Sequence, residues 1–229
     1  MTKASTDRFV IESAQFAMLE RALSVALPAA KSLGVDTGIF WLRDSIFAAT
    51  PYASIGLVNS ELEESSECIA ISQLAARPLL FELRTHRVCY LERIDLVAVR
   101  DRVVFTFEYD RKSRMNRHPL VSRYSGSWRP RLTPREHYEL LVAYRPYFEY
   151  ELAIKEIRAK LRSNEDYGYV VFEDFPEVVS YVTVGRSFLL AFLNAAKDED
   201  TTFRLAYYGD QRCIVCRAGD VIAVLSVID

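Results

Sequence analysis

The chain has 229 residues, of which 50% are hydrophobic and 26% are charged, a composition typical of a folded globular protein and not of a disordered chain. That length suffices for one large domain or two of ordinary size. The formal net charge of -2 excludes a uniformly basic nucleic-acid coat, although a mildly acidic protein can still carry one basic face. No apolar run reaches the roughly eighteen residues of a membrane-spanning helix, and the first eight residues lack the apolar stretch of a secretory signal. We therefore expect an intracellular, cytoplasmic protein without a membrane segment.

The cysteines are expected to be reduced residues of the core. The closest pair, Cys213 and Cys216, lies in a segment with the pattern of a strand, in which residues three apart point to opposite faces. Structural zinc needs four ligands, and Cys68 and Cys89 do not form a second close pair. The sequence therefore predicts no metal site, and it contains no motif that calls for a cofactor.

In the first 110 residues, a helix followed by a group of short strands is predicted twice. The first helix follows from an apolar stripe that begins after Ser13, and Gly34 is a typical helix end. The acidic, serine-rich stretch between the two groups has the composition of a solvated loop. The predicted elements are, in chain order, a helix at 13–34, strands at 38–42, 46–50 and 53–58, a loop at 61–67, a strand at 68–71, a helix at 74–85 and strands at 87–99 and 102–109.

The segment 111–132 breaks this order, because basic residues are scattered there among Ser, Gly, Pro and His without periodicity. A linker or a long exposed loop is expected. It divides the chain into an N-terminal domain at 1–110 and a C-terminal domain at 133–229.

The C-terminal part begins with the clearest local signal of the sequence. Thr133 and Glu136 form a capping box, with a proline at the first helical position between them. Helical patterns then continue to Arg162, interrupted by Pro146, so that a second helix is predicted from Tyr147. The remaining predicted elements are strands at 169–172 and 178–184, a helix at 186–197 and a meander of strands at 203–208, 212–217 and 221–228.

This order of elements resembles that of the DNA sliding clamps, the polymerase processivity factors. The likeness is carried by the first meander, Gly38–Ala49, and by the end of the chain, where Val182–Val184 leads into the last helix and the chain closes on the strand Ile222–Val227. The resemblance implies an α+β fold of tandem helix-plus-antiparallel-meander units in two similar domains. The helical stretch at 133–162 departs from it, because a third meander is expected there.

The resemblance implies a non-catalytic protein that encircles duplex DNA and tethers a DNA polymerase or a clamp loader. A two-domain subunit needs three copies for a six-domain ring, so a homotrimer is expected. Apolar residues near the chain end are implied to form a pocket for partner peptides; these are Val224, Leu225 and Val227.

In such a ring, basic residues on the helices attract the DNA phosphates. The candidates are Arg21, Lys31, Arg77, Arg84, Lys155, Arg158, Arg162, Arg186 and Lys197. Lys155, Arg158 and Arg162 form a continuous stripe beside an apolar one, which consists of Tyr150, Ile154, Ile157 and Leu161. The alternative for each basic residue is ordinary solvated surface, which helices commonly carry.

Two other functions fit parts of the sequence. Asp95 lies on one predicted strand, and Glu108, Asp110 and Lys112 lie at the end of the next, an arrangement that resembles the restriction-endonuclease core. There carboxylates hold Mg²⁺ and a lysine positions or activates water, but charged residues at strand ends are also common in turns. The other alternative is a non-catalytic α/β interaction protein.

Other catalytic signatures find no support in the sequence. His86, His118 and His137 all fall in polar surroundings, and there is no Gly-x-Ser-x-Gly motif. A phosphate-binding glycine loop is also missing. No catalytic residue is therefore predicted.

Overall fold

The computed structural model describes residues 6–34, 37–50, 52–58, 65–86, 90–99, 102–110, 119–123, 134–143, 151–152, 154–163, 168–172, 181–196, 201–208 and 211–228. Its elements are β1 (Thr6–Glu12), a 3₁₀ turn (Ser13–Gln15), α1 (Phe16–Leu33), β2 (Gly38–Arg43), β3 (Ser45–Thr50), β4 (Ala53–Leu57), β5 (Ser65–Ile71), α2 (Gln73–His86), β6 (Leu91–Val99), β7 (Arg102–Tyr109), β8 (Pro119–Arg123), α3 (Pro134–Ala143), β9 (Glu151–Leu152), α4 (Ile154–Ser163), β10 (Tyr169–Phe172), β11 (Val182–Gly185), α5 (Arg186–Ala196), β12 (Thr201–Tyr208), β13 (Gln211–Ala218) and β14 (Val221–Ser226).

An eight-stranded antiparallel sheet joins the first and last parts of the chain. Its strand order is β5-β2-β3-β4-β14-β13-β12-β9. The two parts meet where β4 pairs with β14, from Ala53 opposite Leu225 to Leu57 opposite Val221. We call this pairing the junction.

Two smaller sheets complete the fold. One has the order β1-β6-β7-β8, and the other consists of β10 and β11. All described strand pairs are antiparallel. The predicted α+β architecture of helices followed by antiparallel meanders is therefore confirmed.

The sheet around the junction is buried on both faces, which explains why its strands are mostly apolar and do not alternate between apolar and polar residues. Every residue of β3 and β4 is buried. On one face, Trp41 and Ile46 belong to a core shared with α1, α2, α4 and α5. On the other face, Phe40 and Phe47 belong to a smaller core shared with α3.

Helix α3 lies across the junction on the face opposite the other four helices. It contacts β2, β3 and β4 on one side and β14 on the other. Tyr138 donates a hydrogen bond to Asp44 over 3.0 Å, and the ring of His137 is hydrogen-bonded to the Ser54 hydroxyl. Leu141 is fully buried in the smaller core. The helix therefore holds both parts of the sheet together from outside.

The prediction of a helix from Tyr147 to Arg162 is wrong at its start. Glu151 and Leu152 form β9, which pairs with Thr201 and Thr202 of β12, and α4 begins only at Ile154. This partner lies about fifty residues away in the sequence, so no local helical pattern reports it. Ile157 and Leu161 are buried as predicted. Tyr150 lies outside the described residues.

Two loop predictions and one missed strand are corrected in the same way. The segment 111–132 is not a loop throughout, because β8 lies within it and pairs with β7. The predicted loop at 61–67 ends earlier, since β5 starts at Ser65, and β1 was not predicted. Each of these strands forms because it pairs with a strand that is distant in the sequence. The division into domains at 1–110 and 133–229 stays a prediction.

The two close cysteines lie as predicted. Cys213 belongs to the smaller core and Cys216 to the larger one, so their side chains lie on opposite faces of the sheet. Burial raises the pKa of the Cys216 thiol, which keeps it protonated and unreactive. Within the described ranges, no helix is long and apolar enough to cross a membrane.

Gly56 in β4 is predicted to be irreplaceable by alanine. A Cβ there would overlap the Cβ of Phe47 and lie 2.7 Å from its Cα and 2.8 Å from the Ile46 carbonyl oxygen. Because the Phe47 Cα and the Ile46 carbonyl belong to the backbone of β3, which pairs with β4, they cannot give way easily, and Gly56→Ala is expected to lower the free energy of unfolding by about 2 kcal/mol or more. Gly168→Ala is the control, because a Cβ at Gly168 meets nothing within 4 Å. Equal denaturant midpoints for the two variants would contradict the close packing.

The attachment of α3 is predicted to weaken in acid. Burial lowers the pKa of His137 from its ordinary 6.5 to about 4, partly offset by the nearby Glu136 charge. The unfolded chain therefore binds a proton before the folded one does, and stability is lost as pH falls from 6.5 to 4. Over that window the loss amounts to about 3 kcal/mol. Unfolding curves of wild type and His137→Gln should diverge most at neutral pH and converge near pH 4; parallel curves would contradict the role of His137.

Candidate nucleic-acid interface

Basic residues are concentrated on the four helices of the larger core, α1, α2, α4 and α5, which we call the helix layer. These helices carry nine basic residues and three acidic ones, in a chain with a net charge of -2. The nine are Arg21, Lys31, Arg77, Arg84, Lys155, Arg158, Lys160, Arg162 and Arg186. The rest of the chain is therefore clearly acidic, and the positive charge belongs to one layer.

Two of the three acidic residues of the helix layer are engaged by neighbours. Glu20 forms an ion pair with Arg84, with 3.4 Å between the nitrogen and the oxygen. Glu82 accepts a hydrogen bond from the Tyr109 hydroxyl over 2.6 Å. Burial and the bond to Glu82 raise the pKa of Tyr109 well above its ordinary value, so this hydroxyl remains a donor. Glu156 is the third, and it is exposed.

Helix α3 shows the opposite balance on the opposite face. It carries Glu136 and Glu139 and a single arginine, Arg135, which is paired with Glu139 over 3.1 Å. The basic character is thus a property of the helix layer and not of helices in general in this chain.

A groove between α4 and α5 brings three of the predicted DNA-binding residues together. It has a volume of about 360 Å³. Its lining consists of Arg158, Leu161, Arg162, Arg186, Leu190, Leu193 and Asn194. Three guanidinium groups over a leucine floor suit an anion with strong acceptor oxygens, such as a phosphate.

Arg186 differs from the other two arginines of the groove. It is the first residue of α5 and is partly buried. Its Nε is shielded from solvent and has no hydrogen-bond partner among the described residues. A buried donor of this kind is costly unless an acceptor satisfies it, and a phosphate oxygen in the groove is such an acceptor.

The orientation of the basic side of α4 is determined by the packing of its opposite side. Ile157 and Leu161 are buried in the larger core. The ammonium group of Lys160 lies over the ring of Phe172 at 5.8 Å from its centroid. Phe172 in turn packs on Phe203 of β12, with ring centroids 6.2 Å apart. Lys155, Arg158 and Arg162 are therefore exposed on the side of α4 away from the core.

The structure does not bring the other candidates into the groove. Arg77 and Lys31 are exposed on α2 and α1. Arg84 binds Glu20 and donates a hydrogen bond to the Ser24 hydroxyl over 2.9 Å, and Arg21 is paired with Asp220 over 3.1 Å. These residues add to the field of the helix layer from separate positions. Lys197 lies outside the described residues.

The three residues predicted for a partner-peptide pocket do not face one surface. Val224 lies in the smaller core beneath α3, whereas Leu225 is fully buried in the larger core. Val227 is partly buried and forms a bridge with Val184. Neighbouring strand residues point to opposite faces, so Val224 and Leu225 are separated by the sheet itself.

The residues of the nuclease alternative are not assembled into a metal site. Asp95 is bound by Arg93, with 2.7 Å between the nearest nitrogen and oxygen. The pKa of Arg93 is raised by this hydrogen bond, so the pair stays charged. Across the described part of the chain, no three His, Cys, Asp or Glu side chains are grouped as a metal ion requires. Lys112 lies outside it.

No family model and no curated protein matches the sequence. The fold, however, matches solved structures over the whole chain. The structure is similar to the DNA polymerase III beta subunits of Caulobacter crescentus (TM-score 0.61, 12% identity) and Thermotoga maritima (TM-score 0.56, 13% identity), covering 100% of this chain and 68% and 67% of theirs. It is also similar to the sliding clamp of Pseudomonas aeruginosa bound to griselimycin (TM-score 0.58, 12% identity, 100% of this chain and 67% of that one).

The chain has the sliding-clamp fold. It spans about two thirds of the length of these structures. The resemblance deduced from element order is thereby confirmed at the level of the fold, although sequence identity is at most 13% in these comparisons.

Sequence reasoning missed part of the groove of this clamp fold. Leu190, Leu193 and Asn194 of α5 were not predicted to face a site. Asn194 also donates a hydrogen bond to the Ser32 hydroxyl of α1 over 3.1 Å, which ties the groove to the other part of the chain. Helical spacing predicts a core position for Leu193, but only the position of α4 shows that Leu190, Leu193 and Asn194 border a cavity.

Proposed function

We propose that this protein is a DNA sliding clamp or a clamp-like processivity factor. In this role it encircles duplex DNA and tethers a DNA polymerase or other replication proteins. The proposal includes a ring of three copies and an intracellular place of action. It requires no catalysis by the chain itself.

The observation that carries the proposal is the concentration of positive charge on the helix layer. Nine basic residues and three acidic ones on four helices, in a chain of net charge -2, create a field of one sign over one layer. Such a field attracts the phosphates of any duplex without reading its sequence. The likeness to solved clamps supports the same orientation, with the helices toward DNA and the sheets outside.

Sliding requires that no single contact holds the duplex too strongly. Most basic residues of the helix layer are exposed, on flexible side chains, so each phosphate contact is weak and easily exchanged. The groove between α4 and α5 adds a denser cluster, in which Arg158, Arg162 and Arg186 act on the same stretch of backbone. A surface for a partner protein at the chain end stays a prediction, for which Val227 and the exposed Ile228 are the accessible residues.

Charge reversal on α4 is predicted to weaken DNA binding without unfolding the protein. Lys155→Glu, Arg158→Glu and Arg162→Glu together remove three phosphate contacts, so the slope of log K against log salt should fall by roughly 3. Because the three side chains are exposed, the free energy of unfolding should change by about 1 kcal/mol or less. The measurement is binding to an end-blocked duplex over a salt series.

The control for that experiment carries the same change of charge on the opposite face. Arg135, Arg204 and Arg217 lie on the side of α3, and their replacement by glutamate alters the net charge equally. This control should retain most of the wild-type salt slope. If both triple variants show the wild-type slope, the helix layer is ordinary solvated surface and the DNA-binding proposal is abandoned.

The protein is predicted to lack nuclease activity with Mg²⁺ or Mn²⁺. Supercoiled and linear duplexes should remain intact after prolonged incubation, because Asp95 is paired with Arg93 and the described residues contain no group of three side chains suited to a metal ion. Asp110→Ala and Lys112→Ala provide the check. Cleavage that disappears in these variants while the fold persists would replace the clamp by a metal-dependent nuclease.

A further inference from the structure

The groove between α4 and α5 differs from the rest of the helix layer in the placement of its cations. Arg158 and Arg162 lie one turn apart on α4, and Arg186 lines the opposite wall from the start of α5. Like charges one helical turn apart repel each other. Elsewhere in the layer, Arg21 and Arg84 are each paired with a carboxylate. None of the described residues that line the groove is acidic, so its described lining carries three positive charges and no negative one.

The floor of the groove is apolar and belongs to the larger core. Leu161 and Leu193 are buried there, and Leu190 is partly buried. Apolar walls lower the local dielectric constant, so a guanidinium group attracts an anion more strongly in the groove than on an open surface. The groove therefore favours a concentrated negative charge more than the exposed positions of Lys31 and Arg77 do.

The side chain of Arg186 presents a donor inside the groove. The backbone N–H of this residue donates a hydrogen bond to the Gly168 carbonyl over 3.0 Å, which fixes the start of α5. Its Nε is shielded from solvent and has no hydrogen-bond partner among the described residues. In a guanidinium group, the Nε–H lies parallel to one Nη–H, and the two bonds together bind two oxygens of one anion. The acceptor that completes this pair has to be small enough to enter the groove, because Nε is shielded from the surface.

The number of donors and the size of the groove indicate which anion fits. Each guanidinium group offers several N–H donors in a fixed fork. A terminal phosphate offers three acceptor oxygens and a charge of about −1.5 to −2 at neutral pH. A phosphate within a nucleic-acid backbone carries a single charge and is flanked by a sugar on both sides. The volume of about 360 Å³ lies at the lower end of the range of small-ligand pockets, which is about 300 to 1,000 Å³.

We propose that the groove between α4 and α5 binds the terminal phosphate group of a small phosphate compound, such as pyrophosphate. Arg186 binds two of its oxygens through Nε and Nη, and Arg158 and Arg162 bind the remaining charge from the opposite wall. The site requires neither a ring nor encircled DNA, so it is independent of the proposed function. Because Arg158 and Arg162 also belong to the basic stripe of α4, bound pyrophosphate and duplex DNA compete.

The test follows the Nε–H signal of Arg186 by NMR of the full chain while pyrophosphate is added at constant ionic strength. The signal is assigned by its loss in Arg186→Lys. In wild type it should move downfield, and its exchange with water should slow at least tenfold at saturation, because a phosphate oxygen accepts the hydrogen bond. Chloride at the same ionic strength should leave the signal unchanged.

A matched pair of variants separates the geometry of the donor from its charge. Arg186→Lys keeps the positive charge but lacks the paired N–H bonds, so its affinity for pyrophosphate, measured by calorimetry, should fall at least tenfold. Arg77→Lys makes the same change on α2, outside the groove, and should bind pyrophosphate like wild type. If Arg186→Lys does not fold, competition in wild type replaces it: pyrophosphate should weaken duplex binding more than chloride does at equal ionic strength.

A duplex closed by hairpins at both ends distinguishes this site from general attraction to the DNA backbone, since it has no terminal phosphate. An Arg186 signal that responds to this duplex and not to pyrophosphate would overturn the proposal. Equal pyrophosphate affinities of wild type and Arg186→Lys would also overturn it, because the groove would then act only through its charge. The DNA-binding proposal is judged by the salt slope of the triple variant on α4, so either proposal can fail without the other.

Discussion

The fold depends on the antiparallel pairing of β4 with β14. This pairing joins segments about 170 residues apart in the chain, so its entropic cost is high and must be offset by packing. The sheet there is covered on both faces: α1 and α5 contact each other on one side, and α3 crosses it on the other. Gly56 lies opposite Ile222 in this pairing, and on its other side β3 lies too close for any side chain at that position. Without the junction, the two parts of the chain would each carry a half-covered sheet, and the helices would not form one layer.

The same arrangement explains how a slightly acidic protein presents a basic surface. Helices that pack on one face of a continuous sheet expose their outer residues in one direction, and nine of the charged residues placed there are basic. The junction fixes the distance between α1 and α5, and the hydrogen bond from Asn194 to Ser32 spans them. The charges of the single helices thereby combine into one positive surface. The phosphates of a duplex are attracted to that surface as a whole.

The sequence predicts correctly the helices and strands that have strong local signals. Its predictions fail where pairing with a strand distant in the sequence determines the structure. The helices that begin near Ser13 and at Arg186 and the closing meander all have apolar spacing or turn residues that point to one structure. By contrast, Glu151 and Leu152 lie in a helical pattern, yet they pair with β12. The candidate site follows the same rule. Arg158 and Arg162 were found from helical spacing, whereas the groove with Arg186 exists only because α4 and α5 lie side by side.

The unit around α4 depends on packing against its neighbours. Helices α1, α2 and α5 are each followed by a three-stranded antiparallel meander, whereas α4 is followed by β10 alone among the described residues. Strand β10 nevertheless has Val170 and Phe172 buried, and the ring of Phe172 packs on Phe203 of β12. Ile157 and Leu161 of α4 lie in the same core as α1, α2 and α5. Within the described residues, α4 is therefore held in the helix layer by the core that it shares with the other three helices.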